Sequence, residues 1–423
     1  MFRSLSIISV ITLFSAAFPF LLLPIITRLV DMKDYGNLII LETLMVILTP
    51  IIQFSVSGIV VEFFKLTKDE FKKYISNSLL IAIPAFIGSE VILFFAAEVI
   101  AEKFAVNHIW LYFLPIIVLL NLTIQTLTTI YQCEKNYKGY SFFLIGPNLI
   151  SFILTILFLS IFELGWQSKL YAIAVSFLIF SFIALYILYK GSYISKNIQM
   201  YFVSLNLKFT LSLIPHTLAA SLYFVADRLF ISDMLGNASV AVYAAGMQLA
   251  LIMSVVQNSI SKAWNPFVLE FMGNMAEKQR DVSKEYKKLA TFMFYGCSVV
   301  TIMSVVLATI INFSIVYLLP ANYEQSKYLG MMLVGAFCLL GYYKIVSPIL
   351  WFHKRSSALS KITLVVFFIN LLLNYSLIPL YGVYGACYAT IISILLQFVF
   401  TLLLVTKIAS VHIKEDEFNE KPA

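Results

Sequence analysis

Charged residues are scarce in this chain of 423 residues, at 12% of the sequence, compared with about 25% in soluble domains. Hydrophobic residues make up 61%, and the mean hydropathy is +0.92. A soluble fold has too little polar surface to cover so much apolar material. The composition therefore excludes a soluble enzyme, a nucleic-acid binder and a secreted disulfide scaffold. It indicates a polytopic membrane protein, in which the net charge of +7 comes from basic residues spread over short loops.

Catalytic and metal-binding motifs are also missing. There is no GxxxxGK[ST] phosphate loop, which excludes an ATP-driven pump within one chain, and no HExxH zinc motif. The cysteines lie in or near apolar segments without CxxC or Cys/His pairing, so we interpret them as small apolar side chains. We therefore expect no metal and no bound cofactor. These cysteines are Cys133, Cys297, Cys338 and Cys387.

Long apolar runs dominate what is present. A helix needs about 20 apolar residues to cross a bilayer, and twelve runs meet that length. Strands of a β-barrel would alternate polar and apolar residues, and these runs do not. The prediction is an all-α membrane protein with twelve transmembrane helices. Their predicted limits are 5–28, 38–64, 75–97, 109–131, 141–162, 169–189, 208–232, 240–268, 289–319, 328–352, 358–379 and 384–407.

Basic residues are divided unequally between the two sides of the predicted membrane. With the N-terminus in the cytoplasm, 21 of the 29 lysines and arginines lie in even-numbered connections or at the termini, and five lie in odd-numbered connections. Such an excess marks cytoplasmic loops. Both termini are therefore predicted to be cytoplasmic, including the charged tail 411–423. The first run is too long for a signal peptide and is expected to be an uncleaved span.

Two short matches relate the halves of the chain. The Arg-Leu and Gly-Asn pairs at 28–29 and 36–37 recur 200 residues later, and the run 52–57 resembles 256–261 at an offset of 204. The offset corresponds to six spans, an even number, so the copies are expected to have the same orientation. This predicts two six-helix bundles in a parallel repeat, related by an axis along the membrane normal. The predicted parts are an N-terminal bundle 1–190, a cytoplasmic linker 191–207 and a C-terminal bundle 208–410.

Charged residues inside the spans are the candidate functional groups, because a charge at the bilayer centre costs about 2.5–3.5 kcal/mol on insertion scales. They usually face a bundle interior or a water-filled cavity. Cations there would suit an anionic substrate, and carboxylates would suit H⁺ or Na⁺ coupling. The candidate substrate-binding residues are Arg28, Arg228, Lys262 and Lys344, and the candidate ion-coupling residues are Glu62, Glu90 and Asp227.

Each candidate also has a structural interpretation. Glu42, Glu62 and Lys262 lie near span ends and could extend to the headgroup layer. Asp227 and Arg228 are adjacent, so they point about 100° apart on a helix and do not pair well with each other. Each therefore needs a partner elsewhere, which could be an interhelical contact without a role in transport.

Several ordered segments resemble one family of transporters. Together they are similar to the O-antigen and capsule repeat-unit flippases (Wzx-type) of the multidrug/oligosaccharidyl-lipid/polysaccharide exporter superfamily. The similarity extends over nearly the whole chain, and its most specific parts are the Asp-Arg segment and the Asn-x-x-x-Asn segment. The segments are Pro24-Ile-Ile-Thr-Arg28, Asp34-Tyr-Gly36, Ala226-Asp-Arg-Leu-Phe-Ile-Ser232, Trp264-Asn-Pro-Phe267 and Asn370-Leu-Leu-Leu-Asn374 through Pro379 to Thr390.

The resemblance implies two six-helix bundles around a central cavity and transport of an undecaprenyl-pyrophosphate-linked oligosaccharide across the bacterial inner membrane. It implies no covalent chemistry, an ion gradient as the energy source, and a polysaccharide polymerase and chain-length regulator as possible partners. Asp227 and Arg228 fall on the family's seventh-span motif and Arg28 on its first-span motif. A drug/cation antiporter of the same superfamily is the main alternative. A membrane-embedded polymerase or ligase is a further one, which the short external loops disfavour.

Overall fold

The computed structural model describes residues 2–194, 198–223, 225–277 and 282–419, and within these ranges the chain is helical with no strand. This confirms the predicted all-α class. Helix bounds follow in chain order. They are α1 (Phe2–Leu29), α2 (Met32–Ile52), α3 (Ile59–Phe63), α4 (Lys68–Phe104), α5 (His108–Cys133), α6 (Tyr137–Ser160), α7 (Gln167–Lys190), α8 (Met200–Tyr223), α9 (Ala226–Leu235), α10 (Asn237–Glu277), α11 (Val282–Leu318), α12 (Gln325–Val346), α13 (Pro348–Phe352), α14 (Ser356–Tyr381) and α15 (Val383–Asn419), with short 3₁₀ helices at Phe54–Gly58 and Ala321–Tyr323.

Eleven membrane-spanning candidates occur among the described residues, judged by length and hydropathy. They correspond to eleven of the twelve predicted spans. The remaining predicted span, 208–232, is divided between α8 and the ten-residue helix α9. Between these helices, Val225 has a non-helical backbone, with φ −129° and ψ −12°. Nothing in the apolar run indicates this break, since the run contains no glycine and its one proline, Pro215, lies well before it.

Two other predicted spans are also interrupted. The run 38–64 forms α2, a 3₁₀ turn and α3, with Pro50 in the last turn of α2. The run 328–352 ends α12 at Val346 and restarts at Pro348. Proline cannot donate the backbone hydrogen bond of a helix interior but fits the first helical position. Both interruptions therefore lie next to prolines in the sequence.

Polar side chains at the connections fix where helices begin. Thr67 and Glu70 form a reciprocal capping box at the start of α4, which satisfies two of the backbone N–H groups that a helix start leaves free. The Asn107 side chain accepts from the Ile109 amide at 3.0 Å before α5. The Asn136 side chain accepts from the Gly139 amide at 3.1 Å before α6. Such caps stabilise a helix by about 1 kcal/mol each.

The chain forms two compact units, Met1–Val242 and Tyr243–Ala423. The predicted bundle boundary at 191–207 lies inside the first unit, because α8 packs on α2 and α4 there. A buried polar junction holds this packing: the Asn206 side chain donates to Tyr74 Oη at 2.7 Å and to Ser78 Oγ at 2.8 Å. The predicted division into two six-helix bundles describes the sequence repeat and not these compact units, and it stays a prediction.

Each unit has its own apolar core. In the first unit, Phe71, Tyr74, Phe143 and Phe180 are among the buried residues. In the second unit, α10 and α12 approach closely at Gly246 and Gly330, where an added Cβ at Gly246 would meet backbone atoms of α12 at 2.9–3.0 Å. Small residues permit such close approach between membrane helices.

Large apolar side chains on α4 and α11 are exposed, including Phe94, Phe95 and Phe313, as expected of surfaces that face lipid.

A pair of buried glutamines reproduces the repeat in three dimensions. Gln53 donates from Nε2 to the carbonyl oxygen of Val118 on α5 at 2.8 Å. Gln257, its repeat counterpart, donates from Nε2 to the carbonyl oxygen of Phe337 on α12. The helix that accepts from Gln53, α5, is the fourth predicted span, and the helix that accepts from Gln257, α12, is the tenth. These two spans are counterparts in the predicted repeat. The two copies therefore share one interhelical contact as well as a short sequence match.

Candidate functional site

A lysine and an asparagine meet on neighbouring helices of the second unit. Lys344, in the last turns of α12, donates from Nζ to Asn258 Oδ1 on α10 at 2.8 Å. Lys262 lies four residues after Asn258, and residues four apart share one face of a helix. Lys344 of α12 therefore contacts the face of α10 on which Lys262 also lies.

The position of Lys344 is fixed by the contacts around it. The Trp264 indole donates from Nε1 to the carbonyl oxygen of Ile345 at 2.9 Å. The Gln257 side chain donates to the carbonyl oxygen of Phe337, which lies earlier on α12. These bonds set the register of α10 against α12. A crevice of about 10 Å³ lies beside Lys344, lined in part by Gln257, Ser261 and Trp264, which is about the volume that a single water occupies.

An ammonium group has three donors. Among the described residues, the Asn258 side chain accepts one of the three N–H donors of Lys344. This partner is a neutral amide and not a carboxylate. The positive charge is therefore held in place without being neutralised by that partner. Such a group can bind an anion by charge-assisted hydrogen bonds, which are stronger than those between neutral groups.

The predicted residues of the seventh span lie on α9 in the first unit. Asp227 is 1% exposed. Arg228 is half-buried and donates from Nη1 to Thr43 Oγ1 of α2 at a long 3.5 Å. Its Nε is buried and has no hydrogen-bond partner among the described residues. The Arg228 guanidinium is thus oriented toward α2 but only weakly bonded there, which leaves donors that a ligand or a conformational change could use.

The other predicted residues of this unit occupy separate places. Arg28 is exposed in the last turn of α1, where a cation interacts favourably with the helix dipole. Glu62 is buried on α3, and its Oε1 lies 3.7 Å from Lys65 Nζ. Glu90 lies within α4 and is partly buried, with Oε1 unbonded among the described residues. The roles of all seven residues in substrate binding and ion coupling remain predictions.

Sequence reasoning missed the neutral partners of the buried cations. Thr43 and Asn258 are uncharged and were not singled out, although Asn258 stands in the polar run 256–261 that revealed the repeat. It also missed an interhelical ion pair: Lys169 Nζ lies 2.6 Å from Glu42 Oε1. A similar pair joins Lys103 Nζ and Asp233 Oδ2 at 3.5 Å. In both pairs the partners come from parts of the chain predicted to share one side of the membrane.

The architecture is that of known transporters. An inward-facing multidrug resistance MATE family transporter of the MOP superfamily matches with a TM-score of 0.68 at 11% identity, covering 96% of each chain. The lipid II flippase MurJ in an inward closed conformation matches with a TM-score of 0.66 at 14% identity, covering 98% of this chain and 93% of MurJ. At these identities the likeness establishes the fold. The chain is therefore a multi-pass α-helical membrane protein that shares the fold of these transporters.

Sequence comparison supplies the family. Residues 1–272 match the family described as "Polysaccharide biosynthesis protein". The Lsg locus putative protein 1 of Haemophilus influenzae (strain ATCC 51907 / DSM 11121 / KW20 / Rd) is 24% identical over 360 residues, covering 81% of this chain and 82% of the relative. An uncharacterized membrane protein of the same strain is 22% identical over 351 residues, covering 81% of each. The chain therefore belongs to the family described as "Polysaccharide biosynthesis protein".

Proposed function

We propose that this protein moves undecaprenyl-pyrophosphate-linked oligosaccharide repeat units from the cytoplasmic to the outer leaflet of the bacterial inner membrane. It does so by alternating access, driven by an H⁺ or Na⁺ gradient, with both termini in the cytoplasm. The units then pass to a polysaccharide polymerase and its chain-length regulator. The observation that carries the proposal is Lys344, a cation within a span that is bonded to a neutral amide.

A pyrophosphate linkage is the anionic part of such a substrate. A charge within a membrane span is unfavourable unless an opposite charge lies near it, and among the described residues Lys344 is half-buried and bonded to a neutral amide, so an approaching anion would stabilise it. Lys262 on the same face of α10 provides a second positive charge. Family membership supports a role in polysaccharide biosynthesis, and the likeness to a lipid II flippase in fold is consistent with a lipid-linked substrate.

Gradient coupling rests on the carboxylates of the first unit. Asp227 is buried on α9, and Glu90 on α4 has a buried oxygen that finds no hydrogen-bond partner among the described residues. Desolvated carboxylates bind a proton or exchange it for a cation. Glu62 is the third candidate, although its ion pair with Lys65 also gives it a structural role. If coupling uses these groups, the substitutions Asp227→Asn and Glu90→Gln abolish the effect of dissipating the gradient.

Complementation tests the proposal. The chain is expressed in a bacterium that makes the matching repeat unit but lacks its own flippase, and surface polysaccharide is measured. Restored surface polymer without accumulation of the lipid-linked unit inside is the expected result. Lys344→Ala, Lys262→Ala and Arg228→Ala should each reduce export at matched protein level, whereas Lys361→Ala, at an exposed position of α14, should not.

The outcomes separate the alternatives. Wild-type export by all three cation variants would remove the binding role of these residues. Failure to restore export with the protein inserted, together with lower intracellular dye in an efflux assay, would favour a drug/cation antiporter. Polymer formed by the purified protein from defined repeat units would instead point to a polymerase.

A further inference from the structure

A second basic site lies in the second unit beyond the C-terminal end of α13, outside the span that carries Lys344. The connection between α13 and α14 and the last turns of α15 enclose a cavity of about 410 Å³. Basic side chains line it from both elements, and apolar side chains of α15 form the rest of its wall. The lining residues are His353, Arg355, Leu404, Lys407, Ile408, Val411 and His412.

The two histidines of this cavity are held in defined orientations. Their ring centroids are 4.6 Å apart at an angle of 51°. His412 Nδ1 lies 2.9 Å from the carbonyl oxygen of Ile408. A carbonyl oxygen only accepts, so Nδ1 carries the hydrogen of this contact. On the other ring, His353 Nε2 lies 3.2 Å from the Tyr286 hydroxyl of α11.

Positive charge is concentrated here and its donors remain exposed. Arg355 and Lys407 are both exposed to solvent, so their charges are available to a ligand that enters the cavity. Arginine offers a planar pair of donors that matches two phosphate oxygens, and lysine adds a point charge. The apolar residues Leu404, Ile408 and Val411 line the same cavity and provide contact for a carbon skeleton next to the anion.

We propose that this cavity is a binding site for a phosphate ester, in which Arg355 and Lys407 bind the phosphate oxygens and the imidazole of His353, packed against His412, makes its affinity depend on pH. Two sources have this chemistry: the headgroup of an anionic phospholipid and a soluble phosphate compound. The site does not depend on the transported substrate proposed above.

The direction of the pH effect follows from the neighbours of the histidines. Burial, His412 and Arg355 lower the pKa of His353 below its ordinary value of 6.5. Among the residues whose side chains the structure describes, the titratable groups around His353 are Tyr286 of α11, Arg355 beside it, and Lys407 and His412 of α15, and none of these four is an acid that is ionised at neutral pH. A bound phosphate brings a negative charge next to His353 and favours its protonated imidazole. Binding therefore takes up protons, and affinity rises as the pH falls.

The test uses the purified full-length protein in an uncharged detergent, with affinity measured by thermophoresis at pH 6 and pH 8. The probes are short-chain phosphatidylglycerol, short-chain phosphatidylcholine and inorganic phosphate. A phosphodiester keeps its single charge over this range, so a pH effect on phosphatidylglycerol binding comes from the protein. We expect tighter binding of an anionic probe at pH 6. Arg355→Gln with Lys407→Gln should weaken it about tenfold or more.

Two further variants separate the histidines from general charge. His353→Gln with His412→Gln should leave binding in place and remove the difference between pH 6 and pH 8. Lys354→Gln removes the same charge as Arg355→Gln from a neighbouring side chain that does not line the cavity, and it should behave as wild type. Because Arg355 and Lys407 are exposed, their double variant is expected to fold, which size-exclusion chromatography checks.

Each result is decisive. Binding of phosphatidylglycerol without binding of phosphate assigns the site to a lipid headgroup, and the reverse assigns it to a soluble phosphate ester. Equal binding of phosphatidylcholine and phosphatidylglycerol overturns the proposal, as does failure of both anionic probes to bind. An effect of Lys354→Gln equal to that of the Arg355 and Lys407 variant also overturns it, because the site would then be only a region of diffuse charge.

Discussion

Asn237 at the start of α10 donates from Nδ2 to Asn37 Oδ1 in α2 at 2.6 Å, and the two residues are counterparts in the internal repeat, 200 positions apart. The same amide also donates to the carbonyl oxygen of Phe104 at 2.7 Å. Its Oδ1 accepts from Ser232 Oγ at 2.5 Å. This contact therefore joins the two Gly-Asn segments of the sequence repeat within the first unit.

The two asparagines have different roles, which matched substitutions separate. Asn237→Asp replaces a donor facing two acceptors with a further acceptor and should destabilise the protein by about 2 kcal/mol or more, since each buried unpaired group costs about 1–3 kcal/mol. Asn37→Asp keeps the acceptor that Asn237 uses, so it should be tolerated. Thermal unfolding in detergent measures both, and equal loss in the two variants would contradict the assigned donor and acceptor.

Gly36 is required by the close approach at the same place. A Cβ there would overlap the backbone carbonyl of Asn237, and backbone cannot move aside as the tip of a side chain can. Gly36→Ala should therefore lower the melting temperature. Gly88→Ala is the control, because nothing lies within 4 Å of its added Cβ, and alanine favours an α-helix by about 1 kcal/mol over glycine. A lower melting temperature for Gly88→Ala, or none for Gly36→Ala, would show that the approach is misplaced.

The paired glutamines predict a third result. Gln53→Glu and Gln257→Glu each exchange the donating amide for a carboxylate that faces a carbonyl oxygen, at sites 8% and 2% exposed. Both variants should unfold at lower temperature than wild type, Gln257→Glu more so because it is the more buried. Gln132→Glu, at an exposed position, should change little. If only one of the two buried variants were affected, the contact would not be a shared feature of the repeat.

The membrane class, most helices and the repeat were accessible from the sequence, because hydropathy over 20 residues and spacing of basic residues report directly on membrane crossing. The break between α8 and α9 was not. Tyr223 and Ala226 bracket it, and neither residue type disfavours a helix strongly. Both α8 and α9 pack on α2 and α4, which are distant in the sequence, and a hydropathy window does not report such contacts.

The candidate charges were also found from sequence, but their partners were not. Lys344 was recognisable as a cation in an apolar run, whereas Asn258 had no feature that distinguished it from other polar residues in spans. The repeat glycines show the same limit. Gly236 adopts φ +84° between α9 and α10, which favours glycine, whereas Gly36 lies inside α2 and is needed for close packing. One sequence match thus has two physical causes.

The lowered pKa of His353 predicts a dependence of stability on pH. A histidine whose pKa is lower in the folded protein binds more protons when unfolded, so stability rises with pH through the region from the folded pKa up to 6.5. The melting temperature of the wild type should increase from pH 5 to pH 8 more steeply than that of His353→Gln. Identical slopes for the two proteins would mean that burial of His353 does not influence folding.

Lys344 is predicted to act through its charge in transport. Lys344→Arg keeps a cation and should retain part of the export activity, whereas Lys344→Gln keeps length and polarity but should lose most of it. Asn258→Asp would place a carboxylate at the partner position, neutralise the lysine and also reduce export. Surface polysaccharide at matched protein level measures all three. Full export by Lys344→Gln would contradict a role for this charge.

Reconstitution tests the central claim most directly. The purified protein is placed in liposomes with the lipid-linked repeat unit of its own cells, labelled on the sugar, and a membrane-impermeant quencher reports which leaflet holds the label. The account predicts that the protein moves the inner-leaflet label outward, faster with an imposed H⁺ or Na⁺ gradient, and that Lys344→Gln does not. Label movement no faster than in protein-free liposomes, with the protein folded and inserted, would contradict the claim.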